Sequence, residues 1–195
     1  MLSKKYTGLN DFPSEATYKV AELIFKYPHT IFHLRRIARE TDFSTTAITD
    51  AIKILESKKI LKIEKTAITK NIRANLESLE YYSYKRIFNL FVLKKWSIIE
   101  ALQKSILDTP KVIVLFGSFA KGEDIENSDV DILVIAQDKR TAKQKGIDDA
   151  WFLPFKEFTG RKINLHVLPN LDKSSTEFKN TIANGIVLYG YLKVL

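Results

Sequence analysis

Residues Val112 to Val134 read VIVLFGSFAKGEDIENSDVDILV. An unbroken apolar run stops at Gly117-Ser118, ten residues intervene, and a second apolar run opens at Asp129-Val130-Asp131. Both runs predict strands, joined through a turn. In a strand the side chains i and i+2 share a face, so Asp129 and Asp131 project together while Val130 and Ile132 turn to the buried side. Two neighbouring carboxylates at a strand edge repel unless a cation lies between them. Mg²⁺ takes such hard oxygens, usually one or two protein carboxylates completed by waters and substrate phosphates. Gly117 permits a sharp turn where Phe116 ends. Ser118 then offers a backbone N–H and a hydroxyl at the start of a helix-like segment, a position suited to a phosphate. The pattern therefore predicts a site for a nucleotide and a divalent cation.

The rest of the chain is divided by charge. Residues 1–111 hold 20 Lys and Arg against 12 Asp and Glu, whereas residues 112–195 hold 11 of each, so the whole excess of +8 is N-terminal. That asymmetry predicts a polyanion partner for the first half. At 195 residues the chain can form two small domains, each with its own core. It contains no cysteine, which excludes a disulfide framework and thiolate metal sites. The longest candidate for a membrane segment, Ile87 to Leu93, is interrupted at Lys94-Lys95, and Met1 to Lys5 is not followed by an apolar stretch. The expectation is a cytoplasmic protein without a membrane partner.

In the N-terminal half, Val20, Leu23, Ile24 and Tyr27 fall at helical spacing before Pro28. His33 to Glu40 predicts a second helix with Arg35, Arg36 and Arg39 outward. A turn at Thr41-Asp42-Phe43 follows, with Phe43 expected in the core. Ser44 reads as the N-cap of a third helix, Thr45 to Ser57, whose inner face is Ile48, Ala51, Ile52 and Leu55. Two strands, Ile60 to Glu64 and Asn71 to Leu76, flank a polar tip at Lys65 to Lys70.

This layout, and the stretch LRRIARETDFSTTAITDAIKILESKKIL, resembles the winged helix-turn-helix family. Lys59 stands where that family usually has Gly. The resemblance implies a DNA partner. Thr45 to Lys53 would be the recognition helix, presenting Thr45, Thr46, Thr49, Asp50 and Lys53 to a major groove. Arg35, Arg36, Lys65, Lys70 and Arg73 would meet the DNA backbone or minor groove. Winged helices also serve protein contact and dimerisation, so a homodimer is the other reading. Glu77 to Leu107 predicts one or two long connecting helices, apolar on more than one side and therefore packed against two bodies.

Beyond the Asp-x-Asp strand, the sequence predicts a helix at Thr141 to Phe158 despite Pro154, a strand at Arg161 to Leu168, a helix at Thr176 to Ala183 and a strand at Ile186 to Tyr191. With Gly117-Ser118, Ser128 and both aspartates in order, residues 109–195 resemble the nucleotidyltransferase superfamily typified by DNA polymerase beta and kanamycin nucleotidyltransferase, and most of all its minimal branch. The resemblance implies transfer of a nucleoside monophosphate from a nucleoside triphosphate to an acceptor hydroxyl. Asp129 and Asp131 would hold Mg²⁺ or Mn²⁺, Gly117 and Ser118 would contact the triphosphate, and Lys121 would add positive charge. The family's third carboxylate comes from a later strand, and the matching position here is Asn164. An amide can coordinate a metal but brings no charge, and His166, two residues on, is the candidate substitute base. Minimal members that act beside toxins make a protein acceptor or toxin partner a further expectation.

The expected architecture is α+β. A winged helix-turn-helix at 1–76 leads through a connecting helix at 77–108 to a small mixed β-sheet with flanking helices at 109–195. Two functions fit it: a metal-dependent nucleotidyltransferase targeted by the winged helix, or a DNA-binding regulator or antitoxin whose transferase domain is degenerate.

Overall fold

The computed structural model describes residues 12–65, 69–105, 110–136 and 149–193. The chain divides into two compact units after Tyr84.

The first unit opens with α1 (Glu15–Lys26), whose N-cap Ser14 accepts a hydrogen bond from the Thr17 amide at 3.1 Å. Next are α2 (Leu34–Thr41) and α3 (Thr45–Ser57), the latter capped by Ser44 Oγ on the Ala47 amide at 3.2 Å. Between them Asp42 takes a left-handed conformation (φ 58°), and the Phe43 amide returns to Ala38 O at 3.2 Å. That closure ends α2 and turns the chain into α3. The inner face of α3 is Ile48, Ala51, Ile52 and Leu55, all buried as the periodicity predicts. Phe43 does not fill the core as expected, being half-buried, whereas Phe32 and Ile37 are fully enclosed. The segment after α1 supplies Phe32 to the core instead.

β1 (Leu61–Lys65) and β2 (Lys70–Ala74) form an antiparallel ladder with Ile63 opposite Ile72 and Lys65 opposite Lys70. Phe32 adds a bridge to it, exchanging both backbone hydrogen bonds with Ile72 at 2.8 and 2.9 Å. Three helices and a hairpin are thus tied by one residue between α1 and α2. Lys59, before β1, is left-handed (φ 56°), the conformation that glycine adopts at least cost. Residues 66–68 of the predicted tip lie outside the described residues.

The connecting region is two helices, α4 (Leu79–Lys95) and α5 (Ile98–Ser105), separated at a left-handed Ser97. The second unit is built on a four-stranded sheet: β3 (Val112–Phe116), β4 (Val130–Ile135), β5 (Ile163–Leu168) and β6 (Ile186–Gly190), in the order β5-β4-β3-β6. β4 and β5 are parallel and the other pairs antiparallel. Every β3 residue is buried, so this strand is enclosed on both faces and reads as an unbroken apolar run. One face gathers Val112, Val114, Phe116, Leu133 and Ile135 with Leu171 and Ile182. The opposite face carries Ile113, Leu115, Val130, Ile132 and Val134, each fully buried. Each enclosed aliphatic side chain of these two central strands contributes roughly 1.5–3 kcal/mol.

α6 (Gly117–Lys121) follows β3 directly, α7 (Asp149–Thr159) contains Pro154, and α8 (Thr176–Ala183) is capped by Ser175. The first residues of the helix predicted from Thr141 lie outside the described residues, as does the end of the one predicted to Leu107. Among the described residues no helix is long and apolar enough to cross a membrane.

Candidate active site

The end of β3 and the start of β4 are paired in register, Phe116 opposite Asp131. Gly117, the next residue, has φ 74°, and a Cβ added there would lie 2.5 Å from Asp131 Oδ2. A side chain there is opposed on two counts: the left-handed backbone, and the Asp131 carboxylate that would have to shift. On the other side of β4, Asp131 lies directly beside Asn164 of β5, and the Asn164 amide donates to Asp131 Oδ1 at 2.9 Å. Each oxygen of Asp131 therefore has a defined neighbour. Asp131 is half-buried and Asp129 exposed; β4 begins at Val130, so Asp129 stands just before the strand rather than inside it.

A carboxylate in place of Asn164 would set a second negative charge against Asp131, whereas the amide neutralises the contact with a hydrogen bond. His166 keeps the same strand face but lies deeper. Its ring packs 5.4 Å from Phe116 and 5.9 Å from Phe178, among the core residues of that side. Asn164, not His166, is thus the side chain that touches Asp131. Ser118 is half-buried in the first turn of α6, and Lys121 is exposed at its end.

The stretch between α6 and β4 is organised by a buried ionic cluster that sequence reasoning missed. Asp124 is 1% exposed in a loop that reads GEDIENSD, as a solvated acid would. Its Oδ2 lies 2.6 Å from Arg161 Nη2, and its Oδ1 accepts from Asn89 Nδ2 at 2.8 Å, with Lys85 Nζ at 3.4 Å. Lys85 also donates to the Asp124 carbonyl, and Asn89 to Phe119 O at 2.9 Å. Burial pulls the Lys85 ammonium down to about 8; Asp124 opposes this shift and Arg161 adds to it. Ser128 serves the loop too, its hydroxyl accepting from the Ile125 amide at 2.9 Å while its own amide donates to Ile125 O at 3.0 Å. A signal existed in α4: Lys85 and Asn89 share helical spacing with the buried Phe88, Val92 and Leu93, and polar groups at core positions require buried partners.

In the first unit, the residues predicted to meet DNA are on the surface. Arg35, Thr45, Thr46, Lys65 and Lys70 are exposed, and Lys65 and Lys70 are cross-strand partners, which concentrates positive charge beside the hairpin tip. Other members are already engaged. Arg36 pairs with Glu40 at 2.7 Å and lies over the Phe32 ring, Lys53 pairs with Asp50 at 3.2 Å, and Arg73 pairs with Glu64. Thr49 Oγ1 donates to Thr45 O at 2.7 Å within α3.

Among the described residues no three His, Cys, Asp or Glu side chains form a metal cluster. Asp129 and Asp131, with the Asn164 amide beside Asp131, are the residues that could hold a metal ion here. This suits a hard cation that keeps waters and phosphate oxygens as its remaining ligands. Gly117 itself puts no side chain against Asp131 Oδ2.

Residues 95–189 match the family model of the nucleotidyltransferase domain. No curated protein and no solved structure gives a significant match. Nucleotidyl transfer from a nucleoside triphosphate is accordingly the general function that this part of the chain supports.

Proposed function

We propose that the chain is a divalent-metal-dependent nucleotidyltransferase whose basic N-terminal unit, a winged helix-turn-helix, brings it to its target. The observation that carries the reading is the bare backbone of Gly117 held against Asp131, because it joins the phosphate half of the motif to the metal half. The reaction is attack of an acceptor hydroxyl on the α-phosphorus. The new P–O bond forms as the α–β bridging bond breaks, pyrophosphate leaves with that electron pair, and the hydroxyl proton passes to solvent.

Asp129 and Asp131 would hold Mg²⁺ or Mn²⁺, which supplies neutralisation of the triphosphate and acidification of the acceptor hydroxyl. Gly117 admits the phosphate chain to the end of the central strand β3. Ser118 offers its hydroxyl and amide to phosphate oxygens, and Lys121 adds charge at the end of α6. Asn164 orients Asp131 without adding an anion. The acceptor side then lacks one catalytic charge, a deficit that slows such chemistry by orders of magnitude, each tenfold being about 1.4 kcal/mol of barrier. A slow transferase acting on a protein acceptor, such as a toxin partner, suits that site.

The order of three helices and a hairpin, and the opposed Lys65 and Lys70, support a DNA-binding role for the first unit. Arg36, Lys53 and Arg73 must exchange a carboxylate for a phosphate to take part, so Arg35, Lys65 and Lys70 should carry more of the affinity. Replacing those three by Ala should weaken binding and flatten its salt dependence by up to about 3 in slope.

The deciding experiment incubates the protein with each α-³²P nucleoside triphosphate, Mg²⁺ or Mn²⁺, and RNA, DNA or cell lysate. The Asp129→Asn, Asp131→Asn double variant runs alongside. Label transfer that the double variant abolishes is the expected result. No transfer, with sequence-specific DNA binding intact in both proteins, would replace the proposal with a DNA-binding regulator or antitoxin carrying a retired site.

A further inference from the structure

Asp129 is exposed and precedes its strand, yet both of its backbone neighbours are anchored, and the anchors are consecutive residues. Arg161 Nη1 donates to Ser128 O at 3.2 Å and to Ile125 O at 2.8 Å. The Val130 amide donates to Lys162 O at 2.8 Å. The peptide groups on either side of Asp129 are thus fixed by residues 161 and 162. Arg161 is 6% exposed, lies over the Phe119 ring at 5.5 Å, and meets Asp124 with its other terminal nitrogen at 2.6 Å. Asp124 in turn is gripped from α4 by Lys85 and Asn89, and Asn89 also holds the Phe119 carbonyl of α6. One buried cluster therefore ties the helix that carries Gly117 and Ser118 to the loop that delivers Asp129.

We propose that Arg161, with Asp124 as its anchor, is the positioning residue that presents Asp129 to the metal beside Asp131. The proposal rests on the nucleotidyltransferase reading of this site. The role requires the planar guanidinium. It reaches two carbonyls through one terminal nitrogen and pairs with a carboxylate through the other, whereas an ammonium is a point charge without that fork. Asp124 is required as the acid that keeps two buried cations in place, not for contact with any substrate.

The test uses the full chain and four proteins: wild type, Arg161→Lys, Asp129→Asn, and the double variant. Mn²⁺ binding in the presence of ATP is followed by electron paramagnetic resonance, and amide hydrogen exchange is followed across residues 122–130. Arg161→Lys should keep the wild-type circular dichroism spectrum, speed exchange within 122–130, and weaken Mn²⁺ by roughly tenfold or more, as losses of outer supporting groups do. In the Asp129→Asn background the same change should weaken Mn²⁺ less than twofold, since its effect passes through Asp129. Asp124→Asn, which keeps the side-chain shape, should reproduce the pattern and stands in for Arg161→Lys if that variant does not fold.

Unchanged Mn²⁺ affinity in Arg161→Lys would overturn the proposal, as would an equal loss in both backgrounds, which marks general destabilisation. Failure of the wild type to bind Mn²⁺ with ATP would overturn the nucleotidyltransferase reading and this role with it. Faster exchange in 122–130 would then describe a structural brace alone.

Discussion

Substituting Ala at Gly117 and at Gly160 gives an internal measure of how closely Asp131 approaches the turn. Both glycines are left-handed, φ 74° and 75°, so Ala at either position carries the same backbone penalty of roughly 1–2 kcal/mol. Both substitutions also recover about 0.4–1 kcal/mol by restricting the unfolded chain. At Gly160 nothing lies within 4 Å of the added Cβ, so the net loss should stay near 1 kcal/mol. At Gly117 the Cβ falls 2.5 Å from Asp131 Oδ2, where ordinary contact begins at 3.4 Å, and the carboxylate must yield. A displacement of the carboxylate that costs it the 2.9 Å bond from Asn164 is expected, and a hydrogen bond to a charged group contributes about 1.5–3 kcal/mol. Gly117→Ala should therefore be about 2 kcal/mol worse than Gly160→Ala in urea unfolding, and should lose Mn²⁺ and ATP binding that Gly160→Ala retains. In the Asp131→Ala background, where that bond is already absent, Gly117→Ala should cost no more than Gly160→Ala, a coupling of about 1–2 kcal/mol in the double-mutant cycle. Equal losses at the two glycines, with no coupling to Asp131, would refute the contact.

The Lys85 ammonium is held near 8 against 10.5 in the unfolded chain, so between these pH values the unfolded state binds more protons and stability rises with pH. Wild type should gain up to about 1.4 kcal/mol per pH unit in that window relative to Lys85→Met, measured by urea unfolding at pH 8 and 10; a flat difference would show that Lys85 titrates normally. Asn164→Asp exchanges a hydrogen bond for a like charge and should lower stability in EDTA by about 1–3 kcal/mol, with millimolar Mg²⁺ restoring more in the variant than in wild type; equal melting curves in EDTA would contradict the Asn164 to Asp131 contact. Lys59→Gly removes the cost of a left-handed non-glycine residue, against the greater entropy of unfolded Gly and an exposed pair with Glu80 that contributes little. A net gain of about 0.5 kcal/mol is expected, and a loss above about 1 kcal/mol would argue against that backbone conformation.

The strands β3 and β4 were legible because their apolar runs are continuous and end at residues with one obvious use. Period two sufficed to put Asn164 on the strand face of Asp131, and the parallel register brought the two side chains into contact. The N-cap at Ser44 located α3 to the residue. What escaped was long-range and ionic. Asp124, Lys85 and Arg161 are far apart in the chain, share no period, and individually look like solvated surface; only their common burial reveals them. For His166 alternation gives the strand face but not the Phe178 ring that α8 lays against it. Phe43 is only partly enclosed, and Phe32, from the segment after α1, takes the buried position, which an apolar side chain in a turn does not announce.

The strand order β5-β4-β3-β6 also sets a timetable for synthesis. β3 leaves the ribosome before either of its partners, and its second neighbour, Ile186 to Gly190, follows about 70 residues behind Phe116. At roughly 5–20 residues per second that interval is about 4–14 s. Throughout it the VIVLF segment, uncharged and rich in β-branched residues, keeps one backbone edge unpaired, the condition under which nascent chains associate through their strands. A chain cut before Ile186 would keep that edge open permanently. It should collect in aggregates even with Gly117, Asp131 and Asn164 all intact.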